Sequence, residues 1–462
     1  MKVFTIGEIR KAINGTLLAG DDNAEIKGFA IDSRLVEPGN MFFPTKGARV
    51  DAHDFIGQII EKGCTSFVVS NPDKVPAEAL DKLNVIVVED TLKALQNLSV
   101  YYLNTLPLKY RIGVTGSVGK TSTRDMMYYV SSTKYKTGRN KKNYNSQHGL
   151  PLSILDFEPD IEVAIMEMSM DSPTEISYLC NMVRPDIGIL TNIAAVNLEM
   201  MGNLENIFRG KMEITTFFDE NSTLVVNSSC PMLTRERVSG NYNVVTVGKE
   251  ETEDYLVKDV EDFGDKGIKY TLCRDDKSYE VELPTPGAHN AINASLALAV
   301  GELIGIDPVD GAKGLLEAEL TGKRLKLTEK NGVKVIDDTY NACDDSVKSG
   351  INTLVATEGK RKVAIIGDII GLADKSAEIH YAVGKHAGEK GVDLLIAVGP
   401  EGFHYAEGAK SILPEERVMY FPKKEEFIEI KDQIIQKGDV VLVKASRGMA
   451  LETIVDAILE DK

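Results

Sequence analysis

Val114-Thr115-Gly116-Ser117-Val118-Gly119-Lys120-Thr121-Ser122 lies between an apolar β-branched run, Arg111 to Thr115, and a stretch with helical periodicity from about Lys120. Gly116 and Gly119 let backbone N–H groups close around phosphate oxygens, with Ser117 and Val118 forming the body of the turn. Lys120 offers a positive charge to the outer phosphates, Thr121 offers a hydroxyl to Mg²⁺, and Ser122 continues the helix start. The pattern is TGxxGKTS rather than the longer GxxxxGK[ST], because Val114 stands where the first glycine of the longer form falls. The bland alternative is a glycine turn before a helix. On the functional reading, Thr115 to Ser122 bind a nucleotide. A phosphate loop by itself does not say which reaction follows.

Outward from the loop, short apolar strands alternate with helical stretches. Strands are expected at Ile161 to Met166, Ile187 to Thr191 and Thr223 to Asn227, and Pro286-Gly287-Ala288-His289-Asn290 leads into an alanine-rich helix ending near Gly301. A third block from near Gly322 has strands at Val333 to Asp337, Val363 to Gly367, Leu394 to Val398 and Val440 to Val443, a doubly wound layout. The first block ends on Phe67 to Val69 and Val85 to Val88, after which Asp90 and Thr91 cap a helix carrying Leu92, Leu95 and Leu98. The fold class is therefore α/β with largely parallel sheets. Ligands in such sheets gather at the carboxyl ends of strands, where Asp337-Asp338 and Lys444-Ala445-Ser446 fall.

The length of 462 residues suggests two to four domains. A formal charge of −17 argues against nucleic acid or an anionic membrane as partner, but not against a nucleotide in a local glycine loop. No apolar run reaches the roughly 18 residues of a membrane span. The start, strand then helix, does not read as a signal peptide. Five scattered cysteines without a CxxC pair point to a reducing compartment, so the cytoplasm is expected.

Several segments together resemble the Mur ligases. They are Asp32-Ser33-Arg34 with Pro38-Gly39, the loop Thr115 to Ser122, Asn143-Tyr144-Asn145 with Gly149-Leu150-Pro151, Glu167, Thr191-Asn192-Ile193, Leu198-Glu199 and Lys211. Pro286-Gly287 with His289-Asn290, Arg324, Ile336 to Ala342, Gly367-Asp368 and Lys444 to Met449 complete the set, in fitting order and spacing. The resemblance implies three domains: residues 1–88 for a UDP-linked substrate, 89–322 for the phosphate-loop ATPase, and 323–462 as a Rossmann-like domain. It implies an ATP-dependent amide ligase working through an acyl-phosphate. The expected substrates are a UDP-linked muramoyl peptide and a dipeptide amine, and a monomer is expected.

The resemblance also distributes roles. Lys120, Glu167, Lys211 and Arg324 carry the reaction, and Arg324 contacts the reacting phosphates; read alone, Arg324 is a surface arginine in a basic run. Thr121, Glu167, Asn197 and Lys211 hold Mg²⁺, two ions being expected, with a carbamate on Lys211; alone, Glu167 is a solvated strand end and Lys211 a helix-surface lysine. His289, Asn290 and Asn293 lie where the family's asparagines read adenine; alone, they cap the helix they begin, and the two roles are compatible. Asp338, Tyr340 and Asn341 lie by the ribose; alone, Asp338 caps a following helix. Ser33 and Arg34 meet the uridine nucleotide, and Asn145, Lys444 and Ser446 fall with the substrates.

Four places depart from the family pattern. Asn197 replaces a histidine ligand, Glu167 to Pro173 lacks the usual glycine and Asn-His pair, Cys343-Asp344 replaces Asn-Pro, and Gly367 to Ala373 lacks Glu-Leu-Gly. They keep two other readings open: a ligase for a different carboxylate and amine, and a nucleotide-binding paralogue without ligation.

Overall fold

Strands and helices alternate along the chain as the apolar pattern predicts, and the sheets they build are mixed and mostly parallel. The structure, a computed structural model, describes residues 2–47, 49–141, 143–322 and 324–460. The chain divides into two units, one of Met1–Gly113, Tyr135–Ser169 and Glu175–Asp186, the other of Val114–Lys134, Met170–Thr174 and Ile187–Lys462.

In the first unit a five-stranded sheet runs Thr16–Ala19, Asn84–Val87, Ser66–Val69, Asn40–Phe42, Gly28–Ala30. Only its first pair is antiparallel. Its inner strand Ser66–Val69 is buried throughout, as a strand covered on both faces must be; Phe42, Phe67, Val69 and Val85 pack with Ile56 and Ile59 beneath. Asp90 caps the helix Thr91–Thr105 by accepting the Lys93 N–H at 2.9 Å, as expected. A further strand, Val163–Glu167, runs parallel to Thr137–Arg139. It starts two residues later than the sequence suggests and ends on Glu167 itself.

The strand Tyr110–Thr115 carries the chain into the second unit. There Ile187–Leu190, Thr223–Asn227, Asn243–Gly248 and Tyr255–Asp262 pair in parallel. The sheet continues antiparallel through Ile268–Arg274 and Lys277–Leu283, a meander not anticipated from the sequence. Its signal is visible in the alternation Lys277-Ser278-Tyr279-Glu280-Val281-Glu282-Leu283, whose Val281 and Leu283 are buried. The helix Lys120–Ser132 packs on the alanine-rich helix Asn290–Leu303. The latter is buried continuously from Asn290 to Gly301, as a helix apolar on all sides must be.

A second sheet of this unit runs Lys326–Lys330, Val333–Asp338, Asp439–Lys444, Arg361–Gly367, Leu394–Val398, Val418–Phe421. It is parallel apart from its first, antiparallel edge. Helices cover both faces: Val347, Ile351, Val383 and Tyr405 on one, Phe427, Ile454 and Val455 on the other. This is the doubly wound layout, and it delivers Asp338 and Lys444 side by side at the carboxyl end.

Candidate active site

The phosphate loop is held open by its own geometry. Gly116 and Gly119 have φ of +145° and +83°, which L side chains rarely adopt. Space forbids a side chain as well: a Cβ on Gly116 would sit 2.1 Å from Thr191 Oγ1, and one on Gly119 would sit 2.8 Å from Asn293 Oδ1. The loop is laced to the neighbouring strand end. Ser117 N–H donates to Asn192 O at 2.8 Å, Ser117 Oγ to Ala194 O at 3.1 Å, and Thr191 N–H to Thr115 O at 3.0 Å. The Thr191 hydroxyl also donates to Val118 O. Lys120 Nζ bends back to Gly116 O at 2.7 Å and Ser117 O at 2.9 Å, so its charge lies over the loop. Thr121 and Ser122 are buried at the helix start. Thr191 and Asn192, part of the Mur-like pattern but not of the expected site, thus brace the loop; their place just after the strand Ile187–Leu190 is the signal in the sequence that points to them.

Beside the loop, Asn293 Nδ2 donates to Asn290 Oδ1 at 3.0 Å, and Asn290 Nδ2 to Pro286 O at 2.8 Å. Neither amide caps the helix, and its N-cap, His289, makes no side-chain cap bond. The capping alternative is thus set aside for a buried amide pair lying against the glycine loop. His289 Nδ1 instead pairs with Ser349 Oγ at 2.6 Å.

The second sheet of this unit supplies the next group. Lys444 Nζ donates to Asp338 Oδ2 at 2.6 Å and to Asn341 O at 3.0 Å. Burial pushes the Asp338 carboxyl up, and the charges of Lys444 and then Arg324 oppose that shift. Asp338 caps no helix: Cys343 does, with its thiol and Ser346 forming a reciprocal cap, so the Cys343-Asp344 departure still starts the helix Asp344–Ala356. Lys444, expected among the substrates, is directed to Asp338. Ser446, expected there too, accepts the Ile370 N–H through Oγ at 2.8 Å. Arg324 is no free surface arginine; its guanidinium lies 4.0 Å from the Tyr340 ring centre and donates to Thr321 O at 3.1 Å.

Asn197 adopts φ +53° and donates through Nδ2 to Asp171 Oδ1 at 2.9 Å. Leu198 N–H donates to Gly371 O at 3.1 Å. Three of the four departures from the family pattern, at Asn197, Asp171 and Gly371, therefore meet in space. Lys211 lies on the helix Leu204–Met212 but is only 2% exposed, which overturns the surface-lysine alternative.

In the first unit Glu167 is 1% exposed, not solvated. Asn145 Nδ2 donates to its Oε1 at 2.8 Å, and Asn140 brackets its backbone through Glu167 N–H and O at 2.9 and 3.0 Å. Asn145 thus orients a carboxylate; Asn140 had no part in the expected site. Arg34 N–H and guanidinium both bond Asp32, and this holds the Asp32 carboxyl down at about 2. Lys62 Nζ donates to Ser33 O at 2.9 Å. Among the described residues, no three His, Cys, Asp or Glu side chains form a ready-made metal cluster. No described helix is long and apolar enough to cross a membrane.

The comparisons with known proteins fit this geometry. Residues 114–301 match the Mur ligase middle domain, 323–447 the Mur ligase glutamate ligase domain, and 25–102 the Mur ligase family catalytic domain. The chain is 34% identical to the UDP-N-acetylmuramoyl-tripeptide–D-alanyl-D-alanine ligase of Bacillus subtilis (strain 168), over 99% of this chain and 98% of that one. Its fold is similar to a crystal structure of MurF from Acinetobacter baumannii, with a TM-score of 0.87 at 28% identity and full coverage of both chains. It is also similar to a MurF ligase from Thermotoga maritima in complex with ADP, with a TM-score of 0.78 at 27% identity over 93% of this chain and 96% of that one. A phosphate loop braced by Thr191 and Asn293, an aspartate–lysine pair on a doubly wound sheet, and likeness along the whole length have one explanation: the chain belongs to the Mur ligase family of ATP-dependent amide-forming ligases.

Proposed function

We propose that this chain adds D-alanyl-D-alanine to UDP-N-acetylmuramoyl-tripeptide in peptidoglycan precursor synthesis, acting in the cytoplasm. The observation that carries the reading is the full-length identity of 34% with a ligase of that name, combined with an intact phosphate loop. The same proposal assigns three domains to the chain, residues 1–88 for the UDP-linked substrate, 89–322 for ATP and 323–462 as the Rossmann-like domain.

In the first step the substrate carboxylate attacks the γ-phosphorus of ATP, and ADP leaves. In the second the amine attacks the acyl carbon, the amide bond forms, and phosphate leaves with the acyl C–O bond broken. The first step brings anions together, so cationic side chains must offset the charge. Lys120 supplies one from the loop and Arg324 another. Asp338, held by Lys444, meets the ribose, with Tyr340-Asn341 at the same edge; Asn290 and Asn293 meet the adenine, with His289 beside them. Ser33 and Arg34 serve the uridine nucleotide, and Ser446 the acceptor side.

Thr121, Glu167 and the Asn197 carbonyl are hard oxygen donors that suit Mg²⁺. The Asn197 amide nitrogen is already committed to Asp171, which leaves the oxygen as the donor end. Bound Mg²⁺ would neutralise phosphate charge there. A carbamate on the buried Lys211 belongs to the same proposal, because it turns a cation into an oxygen donor. Bicarbonate-dependent activity that is absent in Lys211→Ala checks it.

A second reading is a Mur-type ligase for another carboxylate and amine, favoured by the Asn197–Asp171 contact and the Gly371 loop. Purified protein with Mg·ATP, UDP-N-acetylmuramoyl-tripeptide and D-alanyl-D-alanine decides between the two, with each component omitted in turn. Pentapeptide product requiring both substrates supports the first reading. Tight ATP binding without product supports the second.

A further inference from the structure

The helix Lys120–Ser132 carries a second feature one turn beyond the phosphate loop. Arg124 and Asp125 are both fully buried in it. Arg124 Nε and Nη2 donate to Asp125 Oδ1 at 2.9 and 2.6 Å. The other carboxylate oxygen, Oδ2, accepts the Thr321 N–H at 2.6 Å, across 196 positions of sequence. The Thr321 carbonyl in turn accepts the Arg324 guanidinium at 3.1 Å. One residue of the connector is thus gripped on both sides, by Asp125 and by Arg324.

Two observations say that this grip is more than packing. The connector is conformationally costly at Leu325, a residue with a Cβ that has φ +52°. A left-handed leucine costs about 1–2 kcal/mol and persists only where its surroundings over-determine it. A buried ion pair is also a poor source of stability, since apolar residues of like volume serve as well or better. What Asp125 adds over an apolar residue is direction. It lies four positions after Thr121, on the same face of the helix that begins at the phosphate loop.

We propose that Asp125 is a positioning residue: by fixing Thr321 it presents the Arg324 guanidinium to the reacting phosphates from the same helix that holds the phosphate loop. The inference rests on the assignment of Arg324 to those phosphates. The test is a double-mutant cycle on the full-length protein with Asp125→Asn, Arg324→Ala and the pair. It is read on kcat in the ligation assay and, independently of any acceptor, on the ratio of ATP to ADP affinity by titration. Asp125→Asn is expected to lower kcat roughly tenfold to a hundredfold. kcat and kcat/KM for ATP should fall together, as for a contact made in the transition state. In the Arg324→Ala background the same change should cost nothing further. An equal cost in both backgrounds overturns the proposal and leaves Arg324 standing. A wild-type ATP to ADP ratio in Arg324→Ala removes the Arg324 assignment and the proposal with it. If the wild type makes no product, the substrate reading fails and the titration still decides. Should Asp125→Asn not fold, Thr321→Pro removes the N–H that Asp125 accepts and fixes φ there, keeps the Arg124–Asp125 pair, and is judged by the same criterion.

Discussion

At Gly119 two constraints coincide, a positive φ and an Asn293 oxygen 2.8 Å from where a methyl would stand. Gly119→Ala is therefore expected to fold and to lose ATP affinity by about tenfold or more, about 1.4 kcal/mol. Isothermal titration measures it, and unchanged affinity would show that the loop tolerates a side chain. Lys120 lies over the loop carbonyls of Gly116 and Ser117, poised where phosphate oxygens gather. Lys120→Ala should lower kcat by roughly 10²–10³, the scale of a lost preorganised charge contact.

At the scale of elements, two neighbouring parallel strands, Val333–Asp338 and Asp439–Lys444, bring Asp338 and Lys444 together at their ends. Lys444→Met leaves a buried carboxylate without its cation and should destabilise the protein by about 3–5 kcal/mol. Adding Asp338→Asn should recover most of that loss. Equal denaturation midpoints for Lys444→Met and wild type would refute the coupling. The loop after Arg361–Gly367 holds a different carboxyl: burial pushes Asp368 from 3.8 up to about 6. Because the folded state keeps this proton longer than the unfolded chain, its contribution favours folding most at low pH. Stability from this group should fall as pH rises from about 4 to about 6 and level off above, by up to about 3 kcal/mol. Urea midpoints of wild type and the non-ionising Asp368→Asn across that range should differ by an amount that changes with this slope, while the contributions of the other carboxyls cancel in the comparison.

For the whole molecule, ATP binding to the folded chain alone should raise its unfolding free energy by RT ln(1 + [L]/Kd), about 2.7 kcal/mol at a hundredfold excess over Kd. Thermal unfolding with and without Mg·ATP reads this as a shift in Tm, and Lys120→Ala should lose most of it at the same concentration. The same experiment with UDP-N-acetylmuramoyl-tripeptide reports the nucleotide-sugar site independently, since Arg34 and Ser33 lie in the other unit from Lys120.

The amino-acid sequence by itself determined the α/β class, the phosphate loop and the strand ends on which Glu167, Asp338 and Lys444 sit. Those signals are local: glycines at fixed spacing, apolar runs of strand length, and side chains immediately after them. It left the meander from Tyr255 to Leu283 unnoticed, because its strands alternate charged and apolar residues instead of forming the continuous apolar runs that mark the buried parallel strands. Only the tertiary structure decided which partner each polar group takes. Lys444 takes Asp338, 106 positions away, and Asp125 takes Thr321 across 196. It also buried Lys211 and Glu167, which local sequence reads as solvated. Local periodicity reports which face of an element is covered. The choice of partner depends on sheet order and helix packing, where the desolvation of a charge must be met by whichever group the fold brings within reach.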